Sequence, residues 1–301
     1  MSAFVNIRAR AAALSMLLIT ATACGRFSNA DTKADQNERI VSVSKQYTEI
    51  LYALNATDNL VAVDVSSTYP PAAKSLPTVG YHRALSIEGM LAAKPTLILS
   101  GGPGNMGPEP IVKQLESLKI PMKFWEVPGT IDGTRTLIRN MGKDFDRVAR
   151  ADSLVAQLDA DLASALAQTK AVADTPTVAI IHYGQAMNIY MLISSRGVAG
   201  DMVRWAGGRT AINDSGGMTR MTSPEILAKA NPDVILLTDF GYDRLSGRKD
   251  VLALPGVAAT KAARDGRIFR IEEHDIIYFG PRTGKNVDLI RGLLHQPGTP
   301  E

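Results

Sequence analysis

The chain has 301 residues, 45% of them apolar and 21% charged, with 33 basic against 30 acidic side chains. Charges this nearly balanced argue against nucleic acid or an anionic membrane surface as the main partner. The apolar content is enough for full hydrophobic cores, and the length suggests two domains rather than one.

Arg8 and Arg10 precede the apolar run "AAALSMLLITATA", and no acidic residue comes before Asp31. A positive flank and an apolar stretch too short to span a bilayer predict a secretory signal over residues 1–23. The only cysteine, Cys24, closes "TATAC". An unpaired thiol is unusual in an exported protein. Here the segment resembles a bacterial lipoprotein processing site, which implies that Cys24 is acylated and anchors an exported, periplasmic protein to a membrane. Ala21 stands where leucine is usual, so a soluble, simply cleaved form is the alternative. The signal takes two basic residues with it, leaving 31 against 30 acidic. Residues 24–38, ending in "GRFSNADTKADQNE", are polar and predict a flexible tether.

From Arg39 short apolar runs alternate with amphipathic helices. "RIVSVS", "LVAVDVS", "TLILS" and "MKFWEV" read as strands, and "YTEILYALNA", "SIEGMLAAK" and "EPIVKQLESLK" as helices. The alternation predicts an α/β lobe with a mostly parallel sheet over residues 39–133. A connecting segment over 134–174 has few breakers, and Leu154, Leu158, Leu162 and Leu166 recur every four residues. That stripe is too short for a coiled coil and predicts one long packed helix. Over 175–301 the alternation resumes with strands "TVAIIH", "DVILLT" and "RIFRIEE" and helices "GVAGDMVRWAG", "SPEILAKA" and "TGKNVDLIRGLL".

"SIEGMLAAKPTLIL", residues 86–99, and "SPEILAKANPDVIL", residues 223–236, align without a gap. Ser86, Glu88, Pro95, Ile98 and Leu99 fall on Ser223, Glu225, Pro232, Ile235 and Leu236. The repeat predicts two Rossmann-like lobes joined by a long helix, with a small-molecule cleft between them.

"RIVSVSKQYTEILYALNATDNLVAVD" resembles the opening of substrate-binding proteins of ATP-binding-cassette importers, the class for ferric siderophores, cobalamin and haem. "VGYHRALSIEGMLAAKPTLILS", "LPGVAAT" and "YFGPR" are closer to its haem-binding subgroup, and the likeness runs over about residues 39–294. "HYGQAMN" departs from that subgroup's glycine run after His182, and "GMTRMTSPE" from its aromatic–Arg–Pro text, although Arg220 remains.

The resemblance implies capture of hemin, with no catalytic cofactor, and delivery to the membrane subunits of a permease. An outer-membrane haem receptor system would supply the cargo. It implies Tyr81 as an iron ligand. Ferric iron is a hard acid that suits an anionic oxygen, and the Arg83 guanidinium favours the phenolate. Residues two apart in an extended turn point the same way, so His82 is expected to face elsewhere. His182 ends an apolar strand, where ligands collect in open α/β sheets, and is the candidate second ligand. Tyr242, with Arg244 two residues on, is the alternative to Tyr81. Tyr183, Arg220, Arg244 and Arg282 are assigned with Arg83 to the pocket around the iron. His274 and His295 are weaker candidates.

Glu88 and Glu225 sit in first helical turns capped by Ser86 and Ser223, where a carboxylate complements the helix dipole. The resemblance adds permease docking as their role. Gly-x-Ser-x-Gly, Gly-x-x-x-x-Gly-Lys and His-Glu-x-x-His are all absent, so catalysis is not expected. The competing cargoes are a ferric siderophore or cobalamin, and a metal-dependent enzyme on the same scaffold is the remaining reading.

Overall fold

The computed structural model describes residues 38–102, 106–126, 129–213 and 216–299. The expected signal, Cys24 and all of the tether before Glu38 lie outside them. The first half runs β1 (Ile40–Ser42), α1 (Lys45–Ala53), β2 (Leu60–Val63), β3 (Gly80–Tyr81), β4 (Ala84–Leu85), α2 (Ile87–Ala93), β5 (Leu97–Ser100), α3 (Glu109–Ser117) and β6 (Met122–Phe124). Strands β2, β1, β5 and β6 form a parallel sheet in that order, with Val41 opposite both Ala62 and Ile98. Alternate side chains leave its two faces. Ile40 and Leu99 pack with helix α1, whereas Val41 and Ile98 pack with Met90 of α2 and Leu115 of α3.

Two helices follow, α4 (Ile131–Asp144) and α5 (Val148–Thr169). The single helix expected within 134–174 is therefore broken. Asp146 turns the chain with φ of 52°, a left-handed conformation that aspartate tolerates better than most residues. Gly142 lets the two helices nearly touch, since a Cβ there would lie 2.3 Å from that of Ala151. Helix α5 remains the long connector. Its Ala151, Val155 and Leu158 are buried in the first core and its Leu162 and Ala165 in the second.

The second half runs β7 (Thr177–Gly184), β8 (Ile189–Ile193), α6 (Val198–Trp205), β9 (Arg209–Thr210), β10 (Met218–Arg220), α7 (Pro224–Ala230), β11 (Val234–Thr238), α8 (Asp239–Tyr242), α9 (Arg248–Leu252), α10 (Lys261–Arg264), β12 (Ile268–Ile271) and α11 (Thr283–His295). Strands β7, β11 and β12 are parallel, and β9 runs parallel to the start of β7. Strand β8 turns back antiparallel to β7, and β10 pairs antiparallel with β8. The fold is thus two α/β lobes with mostly parallel sheets joined by a long helix. The hairpin in "HYGQAMN" was not expected; its turn is made by Asn188, at φ of 56° with its N–H donating to the Gly184 carbonyl at 2.7 Å.

The sequence repeat is also a structural one. Ser86 and Ser223 each accept a backbone N–H at the start of α2 and α7, and both helices end on a left-handed residue, Lys94 or Asn231. Each then feeds a strand interior to its sheet, β5 or β11.

Candidate functional site

Parallel strands end on one side of a sheet, and the loops there gather side chains around a crevice. Here they line a cavity of about 280 Å³. Val43–Gln46 follow β1, Gly101 follows β5, His182 and Gly184 end β7, and Glu273 follows β12. Met187, Met191, Met218 and Ile277 supply an apolar wall.

Tyr81 enters from the hairpin of β3 and β4, in which Gly80 pairs with Leu85 and Tyr81 with Ala84. Gly80 is required, since its φ is 93° and a Cβ would meet Ala84 O and Ser86 N at 2.9 Å. The two loop residues are His82 and Arg83, and all three line the cavity. His82 therefore does not face elsewhere, because in a two-residue loop the alternation of an extended strand is lost. Its ring centroid lies 4.2 Å from that of Tyr81. Its Nδ1 lies 3.3 Å from Oδ2 of the fully buried Asp64. Burial and the charge of Glu273 push the Tyr81 phenol up to about 12, against the opposing pull of Arg83. Without a metal the phenol keeps its proton, and Arg83 alone does not make it a phenolate.

His182 is 6% exposed, and its Nδ1 lies 3.3 Å from Glu273 Oε2, out of line for a hydrogen bond. Burial lowers its pKa more than Glu273 raises it, so the imidazole is neutral at neutral pH, the form that binds a metal. Glu273 is itself ion-paired with Lys45 across the cleft, and the Lys45 charge holds its carboxyl below the ordinary value despite burial.

The remaining expected site residues are dispersed. Tyr183 faces away from the cavity, donating to Asn188 Oδ1 and lying 4.7 Å beneath the Arg244 guanidinium. Arg220 approaches the rim, 3.7 Å from Met187 Sδ. Arg282 does not line the cavity; Glu49 and Asp275 hold it at 2.9 and 2.8 Å. Tyr242, on α8, is 36% exposed and also lies outside the cavity lining. Glu88 and Glu225 are exposed on α2 and α7. Lys45, Asp64 and Glu273 were missed by sequence reasoning. The available signal was their place at strand ends: Asp64 follows β2 and accepts from Ser66 and Ser67, which stops that strand at Val63.

His274, beside Glu273, gives a pH-dependent consequence. It is buried, its Nε2 lies 2.7 Å from Thr68 Oγ1, and its Nδ1 has no hydrogen-bond partner among the described residues. Burial and then the charges of Lys45 and Arg282 lower its pKa to about 3, from 6.5. A depressed folded-state pKa means stability that is full above the unfolded value and lost as pH falls toward the folded one. Stability should drop by about 2 kcal/mol between pH 6.5 and 5 on this account. Urea unfolding at both pH values should show that loss in the native protein and a smaller one in His274→Gln.

A cavity between two α/β lobes that are joined by one long helix, lined by loops from both, is the geometry of a ligand-binding protein. The match to the periplasmic binding protein family over residues 40–274 makes the assignment plain, and the chain belongs to that family. The family comprises substrate-binding components of ABC transporters, which act with membrane permeases. Among solved structures, the periplasmic heme-binding protein RhuT from Roseiflexus sp. RS-1, in apo form, is 32% identical with a TM-score of 0.75. That match covers 85% of this chain and 98% of that one. The periplasmic heme-binding protein BhuT in complex with two hemes is 29% identical with a TM-score of 0.73, over 85% and 97%. An uncharacterized ABC transporter substrate-binding lipoprotein of Bacillus subtilis, YvrC, is 25% identical over 89% of this chain and 83% of its own. The vitamin B12-binding protein of Vibrio campbellii is 29% identical, but over 45% of this chain and 48% of its own.

Proposed function

We propose that the protein captures ferric haem in the cleft between its lobes and hands it to a membrane permease. The observation that carries the reading is Tyr81, a hard oxygen donor on the β3–β4 hairpin, lining one methionine-walled cavity with the neutral imidazole of His182. The donor set fits the group. A phenol suits ferric iron, an imidazole can complete its axial coordination, and apolar side chains suit the faces of a porphyrin. The haem-binding relatives cover nearly the whole fold, which supports this cargo over cobalamin. The vitamin B12-binding relative keeps cobalamin as the second reading, and that cargo has no need of the Tyr81 oxygen.

Titration of the purified protein with hemin tests the assignment. A saturable visible spectral change is expected, and cyanocobalamin at equal concentration should not compete. Saturation by cyanocobalamin with no response to hemin would transfer the proposal to the second reading. Lipidation at Cys24 belongs to the same proposal, with the lipoprotein description of YvrC in its support, as does supply from an outer-membrane haem receptor system.

The docking surface is assigned to Glu88 and Glu225, exposed at equivalent places on the two lobes. Replacing both with alanine should leave hemin affinity unchanged and reduce uptake by cells at least about tenfold, since close interfacial charge pairs contribute that much or more. Normal import by the double variant would leave the two carboxylates as helix-dipole partners only.

A further inference from the structure

Two methionines of the cavity wall are open to solvent. Met187 is 49% exposed and Met218 is 46% exposed, whereas Met191 beside them is 6% exposed. Every other methionine among the described residues is buried or half-buried. The sheet gathers this group. Strands β7, β8 and β10 set His182 opposite Met191 and Met191 opposite Arg220. Directly opposed residues share a face, and Met218, two residues before Arg220, stands on that face too. Met187 joins them from the β7–β8 turn, with its Sδ 3.7 Å from Arg220 Nη2. Gly184 makes room for the side chains: a Cβ there would lie 2.8 Å from the Met191 methyl and 3.6 Å from that of Met187. A thioether is apolar and only a weak hydrogen-bond acceptor. Oxidation turns it into a polar sulfoxide.

We infer that Met187 and Met218 are a pair of sulfoxidation sites through which hydrogen peroxide lowers the affinity of this cavity for its cargo. In the step, one peroxide oxygen bonds to the sulfur lone pair, the O–O bond breaks and water leaves. The sulfur loses two electrons and the peroxide gains them. The inference rests on the haem reading and deepens it, because an apolar wall suits a porphyrin face and a sulfoxide does not. The new oxygen on Met187 is a strong acceptor within reach of Arg220, so the guanidinium holds it at the rim. Met191, on the same wall but shielded, is the internal reference.

Peptide mass mapping tests the chemistry, and hemin titration tests its effect. The protein without ligand is treated with hydrogen peroxide, which catalase then removes. One added oxygen should appear on Met187 and on Met218 well before Met191. Hemin affinity should fall at least about fivefold, the scale of a poorly paired polar group set against an apolar ligand. It should return after treatment with the two methionine sulfoxide reductases, one for each epimer. The double variant Met187→Leu, Met218→Leu has no sulfur to oxidise at these places. Measured against its own untreated affinity, it should lose nothing. Equal losses in the variant and the native protein overturn the inference and leave the haem reading standing. So does native affinity in the oxidised protein, or oxidation of Met191 as fast as the other two. An untreated protein that takes up no hemin overturns the haem reading, and with it the role given to the sulfoxides.

Discussion

Tyr81→Phe should lose the tyrosinate-to-iron charge-transfer band of the hemin complex and bind hemin about 10–100-fold more weakly, a larger loss than His182→Ala produces. Phenylalanine keeps the ring and its contact with His82, so coordination is separated from packing. The phenol lies at about 12 without a metal, so coordination must displace its proton. Uptake of hemin should therefore release one more proton in the native protein than in Tyr81→Phe, readable in a weakly buffered titration. Arg83 lowers the cost of that release through its charge. Arg83→Lys keeps the charge and loses the planar fork, so it should weaken binding less than Arg83→Ala. A Tyr81→Phe complex with the native spectrum would place the ligand elsewhere. Tyr242 would not be the ready substitute that its spacing to Arg244 suggests, because it lies outside the cavity lining and Arg244 is stacked on Tyr183.

The parts of the fold legible in the sequence are those written as local periodicity. The strands of β1, β5, β7 and β11 are short apolar runs, and the caps of α2 and α7 are Ser-x-Glu signatures repeated at one offset. What stayed hidden depends on contacts between distant residues. Little between Thr134 and Ala173 breaks a helix by composition, yet the approach of Gly142 to Ala151 and the left-handed Asp146 divide it. The Tyr81 turn was visible as text, but the placing of His82 was not, because it follows from Asp64, eighteen residues earlier in the chain. Glu273 was equally hidden: its partners are Lys45, at the start of α1, and His182, near the end of β7, which only the folded sheets bring to it. Arg282, read from "YFGPR" as a pocket residue, serves the fold beside the cavity instead.

Arg282→Ala should destabilise the protein by about 3–5 kcal/mol, the cost of leaving a buried partner charge uncompensated. Glu49 of α1 is that partner, 3% exposed and 2.9 Å from the guanidinium. It also accepts from Tyr278 at 2.7 Å, and Arg282 reaches Asp275 at 2.8 Å while stacking 3.5 Å over the Tyr69 ring. Burial raises the Glu49 carboxyl against the opposing pull of Arg282, so removing the arginine takes away the main group that keeps it charged. The network joins α1, in the first lobe, to the segment before α11 in the second, reinforced by Gln46 donating to the Phe279 carbonyl at 2.6 Å. Its loss should also loosen the lobes. Urea unfolding should show the lowered midpoint. The pair Glu49→Leu with Arg282→Met should recover most of the stability, because the penalty lies in the unpaired charge rather than in the absence of the ion pair. If Arg282→Ala unfolded at the native midpoint but bound hemin more than tenfold more weakly, Arg282 would be a contact of the cargo after all, and its ties to Glu49 and Asp275 would be incidental to stability.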